Sequence, residues 1–263
     1  MSMSRFSSAV VPSALIIAHP GHELRVHGWL ERARPEVFVL TDGSGHHDVP
    51  RVDSTREVLR RAGAREGAVF ARFSDRILYR MLLEGDLEPL ERLALELADA
   101  FVAGGVEIVA SDAIEGYSPS HDLCRLLAES AVALASQGLE RPIASYDFLL
   151  EGRPDVCPAE LAPRAIRLLL DDGELRRKLE AARSYPEMAA EVDHALKTHG
   201  PDAFRVECLR PADADLERLV PEPAIYELYG ERQVAAGHYS QVLRFREHFL
   251  PAAHALGELV RTP

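Results

Sequence analysis

The chain has 263 residues, 47% hydrophobic and 27% charged, the composition of an ordinary globular protein long enough to bury one substantial core. Its formal net charge of -12 argues against nucleic acid as a ligand, because binding to phosphate backbones draws on clustered Lys and Arg. Met1 to Ser8 lack the basic segment and apolar run of a secretory signal, no apolar stretch is long enough to span a bilayer, and the separated Cys124, Cys157 and Cys208 suit neither a disulfide framework nor a metal knuckle, so a reducing cytoplasm is expected.

Ser13 to Ala18 is uniformly apolar, as expected of a strand buried on both faces of a parallel sheet, and it runs straight into His19. After the Pro20-Gly21 turn, Glu23 to Arg32 has helical spacing and Val37 to Leu40 reads as a second buried strand. A polar, Gly-rich loop from Thr41 to Asp53 follows, carrying His46 and His47, and then a helix through Val58, Leu59 and Ala62 that Gly63 ends. Ala68 to Ala71 is a third strand. Ile77 to Leu83 and Leu87 to Val102 are helices, with Leu90, Leu93, Leu97 and Phe101 on one face of the second. Val106 to Ala110 is a fourth strand, Leu123 to Ala135 an amphipathic helix and Pro142 to Tyr146 a fifth strand. Beyond Gly152 the strand signal fades: Arg164 to Arg183, Glu187 to Lys197 and Ala235 to Val260 read as helices, with one further strand over Phe204 to Leu209.

Strands alternating with helices predict an α/β, Rossmann-like fold, a mostly parallel sheet flanked by helices, with residues 1–150 as its core and 151–263 as a helix-rich extension packed on the same domain. In such sheets ligands gather at the carboxyl ends of the strands. His19, Asp42, Asp75 and Asp112 all follow predicted strands. His19 and His22 stand three residues apart across a strand-to-helix turn, and His121 opens a later helix. Three neutral imidazoles from separate strand ends could hold Zn2+ and leave a fourth position open, as a hydrolytic site requires. Against this, a His-x-x-His pair is commonly a loop feature, and His121 could simply neighbour a helix capped by Ser118 or Ser120. Gly43-x-Gly45 is too slight a signal for a dinucleotide site.

Ala18-His19-Pro20-Gly21-His22-Glu23 resembles the Ala-His-Pro-Asp-Asp-Glu motif of the PIG-L/LmbE-like zinc-dependent N-acetyl-sugar deacetylases, in position and frame. Leu40-Thr41-Asp42-Gly43, Arg56 with Glu57, Phe73-Ser74-Asp75 and Pro119-Ser120-His121 resemble that family's later elements, in order, over about residues 13–140. The resemblance implies an LmbE-like fold, His19, His22 and His121 as metal ligands, Arg56 and Asp75 as substrate-binding residues, and Asp42 shaping the crevice. It also implies a small-molecule substrate, an N-acetyl sugar or sugar conjugate, and is in keeping with a homo-oligomer.

The departures bear on catalysis. Gly21 stands where the family has its general base, His22 where it has an Asp ligand, and Ser118 and Ser120 where it has a histidine and an aspartate. General-base assistance typically contributes ~100- to 10,000-fold, so another carboxylate has to substitute, and Glu23, Asp112 and Glu115 are the candidates. Tyr117 is a further candidate, as a donor to an oxyanion or to substrate. Three functions follow: a zinc-dependent amide hydrolase, a non-hydrolytic LmbE-like protein that binds a sugar or nucleotide-sugar after losing its base, or a plain α/β nucleotide-binding or transferase protein in which the histidines are incidental.

Overall fold

The computed structural model describes residues 11–45, 49–212 and 219–261; His46 and His47 lie outside them. Seven strands form the sheet: β1 (Ser13–Ile17), β2 (Glu36–Thr41), β3 (Arg65–Phe73), β4 (Ile108–Asp112), β5 (Ala144–Phe148), β6 (Ile166–Leu169) and β7 (Val206–Pro211), in the order β3-β2-β1-β4-β5-β7-β6. β3, β2, β1, β4 and β5 pair in parallel, and β7 pairs antiparallel with both β5 and β6. All five residues of β1 are buried. Successive β1 side chains alternate between two cores, Ala14 and Ile16 on one face, Leu15 and Ile17 on the other, which is why the strand reads as continuously apolar.

The helices cover both faces. Those before β5 are α1 (His27–Ala33), preceded by a 3-10 turn over His22–Val26, α2 (Val52–Ala62), α3 (Asp75–Glu84), α4 (Glu88–Ala103) and α5 (Pro119–Gly138). After β5 come α6 (Asp172–Arg183), α7 (Ala189–His199), α8 (Ile225–Ala235) and α9 (Leu250–Arg261). α4, α5 and α9 enclose one core, and α1, α2 and α6 the other. Among the described residues no helix is long and apolar enough to cross a membrane.

α1 shows how the two halves of the chain lock together. Its first turn has unpaired N–H groups, and Glu207 on β7 accepts from Gly28 N and Trp29 N, both at 2.8 Å. The Lys178 ammonium from α6 pairs with the same carboxylate at 2.7 Å, both groups buried. Gly28 allows this approach, since a Cβ there would overlap Leu170 and crowd Glu207.

The second half departs from the helical reading. Arg164 to Arg183 is not one helix: Ile166–Leu169 is β6, and α6 starts only after Asp171, whose side chain accepts from Glu174 N while Glu174 accepts from Asp171 N. This capping box starts a helix where apolar spacing alone suggested continuity. Ala235 to Val260 is also divided. α8 ends at Ala235, Gly237 takes φ 77, and helical structure resumes with a π turn at Phe245–Phe249 running into α9.

β1 lies between β2 and β4, so the chain's crossovers leave β1 in opposite directions. A crevice opens at such a switch point, beyond the carboxyl ends of the two central strands. His19 follows β1, and Asp112 ends β4.

Candidate metal centre

Three imidazoles meet at this crevice. Their ring centroids are 5.2 Å (His19 to His22), 5.1 Å (His19 to His121) and 4.6 Å (His22 to His121) apart, each pair edge to face. His19 follows β1, His22 begins the 3-10 turn three residues later, and His121 lies in the first turn of α5. Pro119 starts α5 with its φ already set and no N–H to satisfy, and Ser118 makes no capping hydrogen bond through its side chain. Asp122 closes the preceding loop instead, its Oδ1 accepting from Glu115 N (3.0 Å) and Gly116 N (3.2 Å).

Two of the rings are held from behind. His22 Nδ1 donates to Asp112 Oδ2 at 2.8 Å. His19 Nδ1 lies 2.7 Å from Thr41 Oγ1 and 2.9 Å from Asp75 Oδ1. Thr41 Oγ1 donates to Ala18 O (3.1 Å), so it accepts from His19. A ring whose Nδ1–H is engaged this way keeps its lone pair on Nε2, the arrangement found behind metal-bound histidines. Among the described residues, His121 Nδ1 is buried without a hydrogen-bond partner.

Burial lowers the pKa of His22, more than Asp112 raises it. His121 is held well below the ordinary histidine range by burial and then by the neighbouring His22 and His19. Both rings are therefore neutral near pH 7, with lone pairs to donate. Three imidazoles on one tetrahedral ion, at ~2.0–2.1 Å per nitrogen, would have centroids about 5 Å apart, close to the spacing here. As placed, however, the nitrogens do not converge on one point: among the described residues no group of three or more His, Cys, Asp or Glu side chains is arranged to hold an ion. The donor chemistry and the backed rings are of the kind a Zn2+ site uses, without the converging geometry of one.

The remaining predicted residues divide. Asp75 joins the cluster beside His19, its Oδ1 2.9 Å from Nδ1 without a hydrogen bond among the described residues, and its other oxygen takes Gly45 N. Burial alone would raise its pKa, but His19, Thr41 and Gly45 outweigh this and hold it below the ordinary carboxylate range. Asp42 shapes the turn after β2, its side chain accepting from Ser44 N at 3.0 Å and its carbonyl from Arg51 N. Tyr117 is exposed, four residues before His121. Arg56 is not brought to the cluster. Its guanidinium pairs with Glu66 and Asp53 and lies over the Phe70 ring, because α2 turns that side chain toward β3 and solvent.

Two of the candidate bases are committed elsewhere. Glu23 is fully buried, with Oε2 accepting from Gly21 N (2.8 Å) and Oε1 from Thr55 (2.9 Å) in a network that continues to Tyr185, and burial pushes its pKa up to about 7. Asp112 is fully buried too, and its Oδ2 is taken by Ala18 N and His22. Glu115 is partly exposed, accepting from Leu150 N at 2.9 Å, and burial raises its pKa to about 7. Thr41 was overlooked as a support of His19 although it stands in the Leu-Thr-Asp-Gly segment. Met188, packed against Gly21, had no signal in sequence at all.

The architecture has known counterparts. The structure is similar to the crystal structure of the conserved protein TT1542 from Thermus thermophilus, with a TM-score of 0.53 and 16% identity over 78% of this chain and 96% of that one. It is also similar to the A40926 pseudoaglycone deacetylase Dbv21, with a TM-score of 0.50 and 17% identity over 77% of this chain and 97% of that one. The fold is LmbE-like. No protein-family model matches the chain, and no curated protein matches it in sequence. Within the LmbE-like fold the three histidines occupy the switch-point crevice, the place where α/β sheets of this kind bind ligands.

Proposed function

We propose that this protein is a zinc-dependent amide hydrolase that removes the acetyl group from an N-acetylated sugar or sugar conjugate. The observation that carries this reading is the clustering of three imidazole rings at the switch-point crevice, 4.6 to 5.2 Å apart, with Asp112 behind His22 and Thr41 and Asp75 beside His19. A fold shared with a protein named as a pseudoaglycone deacetylase is in keeping with it.

His19, His22 and His121 would hold Zn2+. When bound, the ion supplies a Lewis acid that polarises the acyl carbonyl and eases deprotonation of water. The chain's own groups do the rest. Asp112 and Thr41 hold two rings in one tautomer, and Tyr117, exposed four residues before His121, would be the donor to an oxyanion. Glu115, in the loop before His121, is a further carboxyl to exchange a proton, its Oε2 also accepting from Leu150 N and Glu151 N. With its pKa near 7 it is partly ionised at neutral pH, as a general base should be.

A second reading rests on Gly21. A Cβ there would overlap the Met188 sulfur, so the space for the family's base is filled. This favours a protein that binds a sugar or nucleotide-sugar without cleaving it. The test is zinc content of the purified wild type, His19→Ala and His121→Ala by elemental analysis, followed by acetate release from N-acetylglucosamine and its conjugates. Near-stoichiometric zinc lost in both variants, with acetate released, supports the hydrolase. Retained zinc and sugar binding without acetate supports the second reading, and wild type that stays metal-free with added zinc overturns both metal-based readings.

A further inference from the structure

Asp112 is the last residue of β4 and is fully buried. A single oxygen, Oδ2, accepts from Ala18 N and from His22 Nδ1, each at 2.8 Å. Ala18 immediately precedes His19. One carboxylate oxygen therefore ties the end of β1 to the ring of His22, and so sets the relative placement of two candidate ligands. The other oxygen, Oδ1, is buried without a hydrogen-bond partner among the described residues. Among the described residues the ion-pair partner of Asp112 is His22, with no Arg or Lys paired to it.

We infer that Asp112 is a positioning residue: it locks His22 in the Nδ1–H tautomer, leaves Nε2 as the ring's free lone pair, and supplies from behind the ring the negative charge that an aspartate at position 22 would carry directly. The replacement of a carboxylate ligand by His22 is thus compensated one residue deeper, through a hydrogen bond. The charge role rests on the metal-site reading above. The tautomer lock does not.

The first measurement is 15N NMR of the histidine rings in metal-free wild type at neutral pH. His22 is expected to be protonated at Nδ1 and bare at Nε2; the opposite tautomer overturns the inference without any variant. Asp112→Asn keeps the shape and an acceptor for Ala18 N while removing the charge. It is expected to give mixed His22 tautomers and to weaken zinc binding, measured by competition with a chelator, by about 10- to 100-fold. The double variant His22→Asp with Asp112→Asn returns the charge to position 22 and is expected to recover zinc affinity to within about tenfold of wild type. An Asp112→Asn protein with the wild-type tautomer and an unchanged zinc affinity overturns the positioning role. Wild type with His22 locked but no zinc uptake removes the metal reading and the charge role, and leaves the lock standing.

Discussion

Gly21 and Met188 share one small space: Gly21 holds φ 106, and a Cβ built on it would overlap the sulfur of Met188, delivered by the turn between α6 and α7. The backbone and the neighbour both exclude a side chain at the position where resembling sequences carry a base. Gly21→Asp is expected to lower stability by about 2–4 kcal/mol, part from left-handed strain and part from overpacking. Combining it with Met188→Ala should recover the overpacking part, about 1–2 kcal/mol. Urea unfolding of the three proteins measures both, and a fully stable Gly21→Asp would mean that Met188 yields without cost.

Glu23 is the clearest source of pH dependence. Its carboxyl is pushed up to about 7, by burial first, so its stabilising contribution is complete below its unfolded value of about 4.5 and is lost as pH rises through 7. Glu115 and Asp122, also raised to about 7 by burial, act in the same direction. His22, His27 and His121 act oppositely, since burial lowers their pKa: the stability they contribute is complete above the unfolded value of 6.5 and is lost as pH falls below it. The wild-type profile blends these, so the sign is best read from a difference. In metal-free protein, Glu23→Gln is expected to gain on wild type by on the order of 2–3 kcal/mol between pH 5 and 7.5, by denaturant unfolding. A flat difference would contradict the assignment.

The buried Lys178–Glu207 pair joins α6, β7 and the start of α1. Removing one partner strands the other charge, so Lys178→Met is expected to destabilise by about 3–5 kcal/mol. Replacing both, as Lys178→Met with Glu207→Gln, should be milder than the sum of the two single changes, because no charge remains buried. A double-mutant cycle on thermal unfolding shows the coupling.

Arg56 and Asp75 were grouped as substrate residues by resemblance, and the structure separates them. Arg56 is half exposed in its pairs with Asp53 and Glu66, so Arg56→Ala should change stability by less than about 1 kcal/mol and leave zinc affinity unaltered. Asp75→Asn, which loosens His19, should weaken zinc binding about tenfold or more. Chelator competition on both variants decides, and equal effects would contradict this separation.

The sequence by itself determined the strands and helices up to about residue 150 and the sheet edge at which the three histidines meet. Buried parallel strands leave continuous apolar runs, amphipathic helices leave a three-to-four spacing, and Gly and Pro mark the turns; all of these are short-range signals that need no partner. That His19, His22 and His121 lie at one sheet edge was legible for the same reason, each being tied to a local strand-to-helix junction. What only the tertiary structure decided were contacts between segments far apart in the chain. β6 gains its stability from pairing with β7, so its own residues read as helix. Asp112 looked like a base until the fold set it against Ala18 and His22, and Glu23 until Thr55 and Gly21 took its oxygens. Met188 reaches Gly21 only because α6 and α7 fold back over the crevice turn. A residue's type limits its chemistry, but whether a carboxylate is a base, a brace or a buried acid depends on which groups the fold places around it.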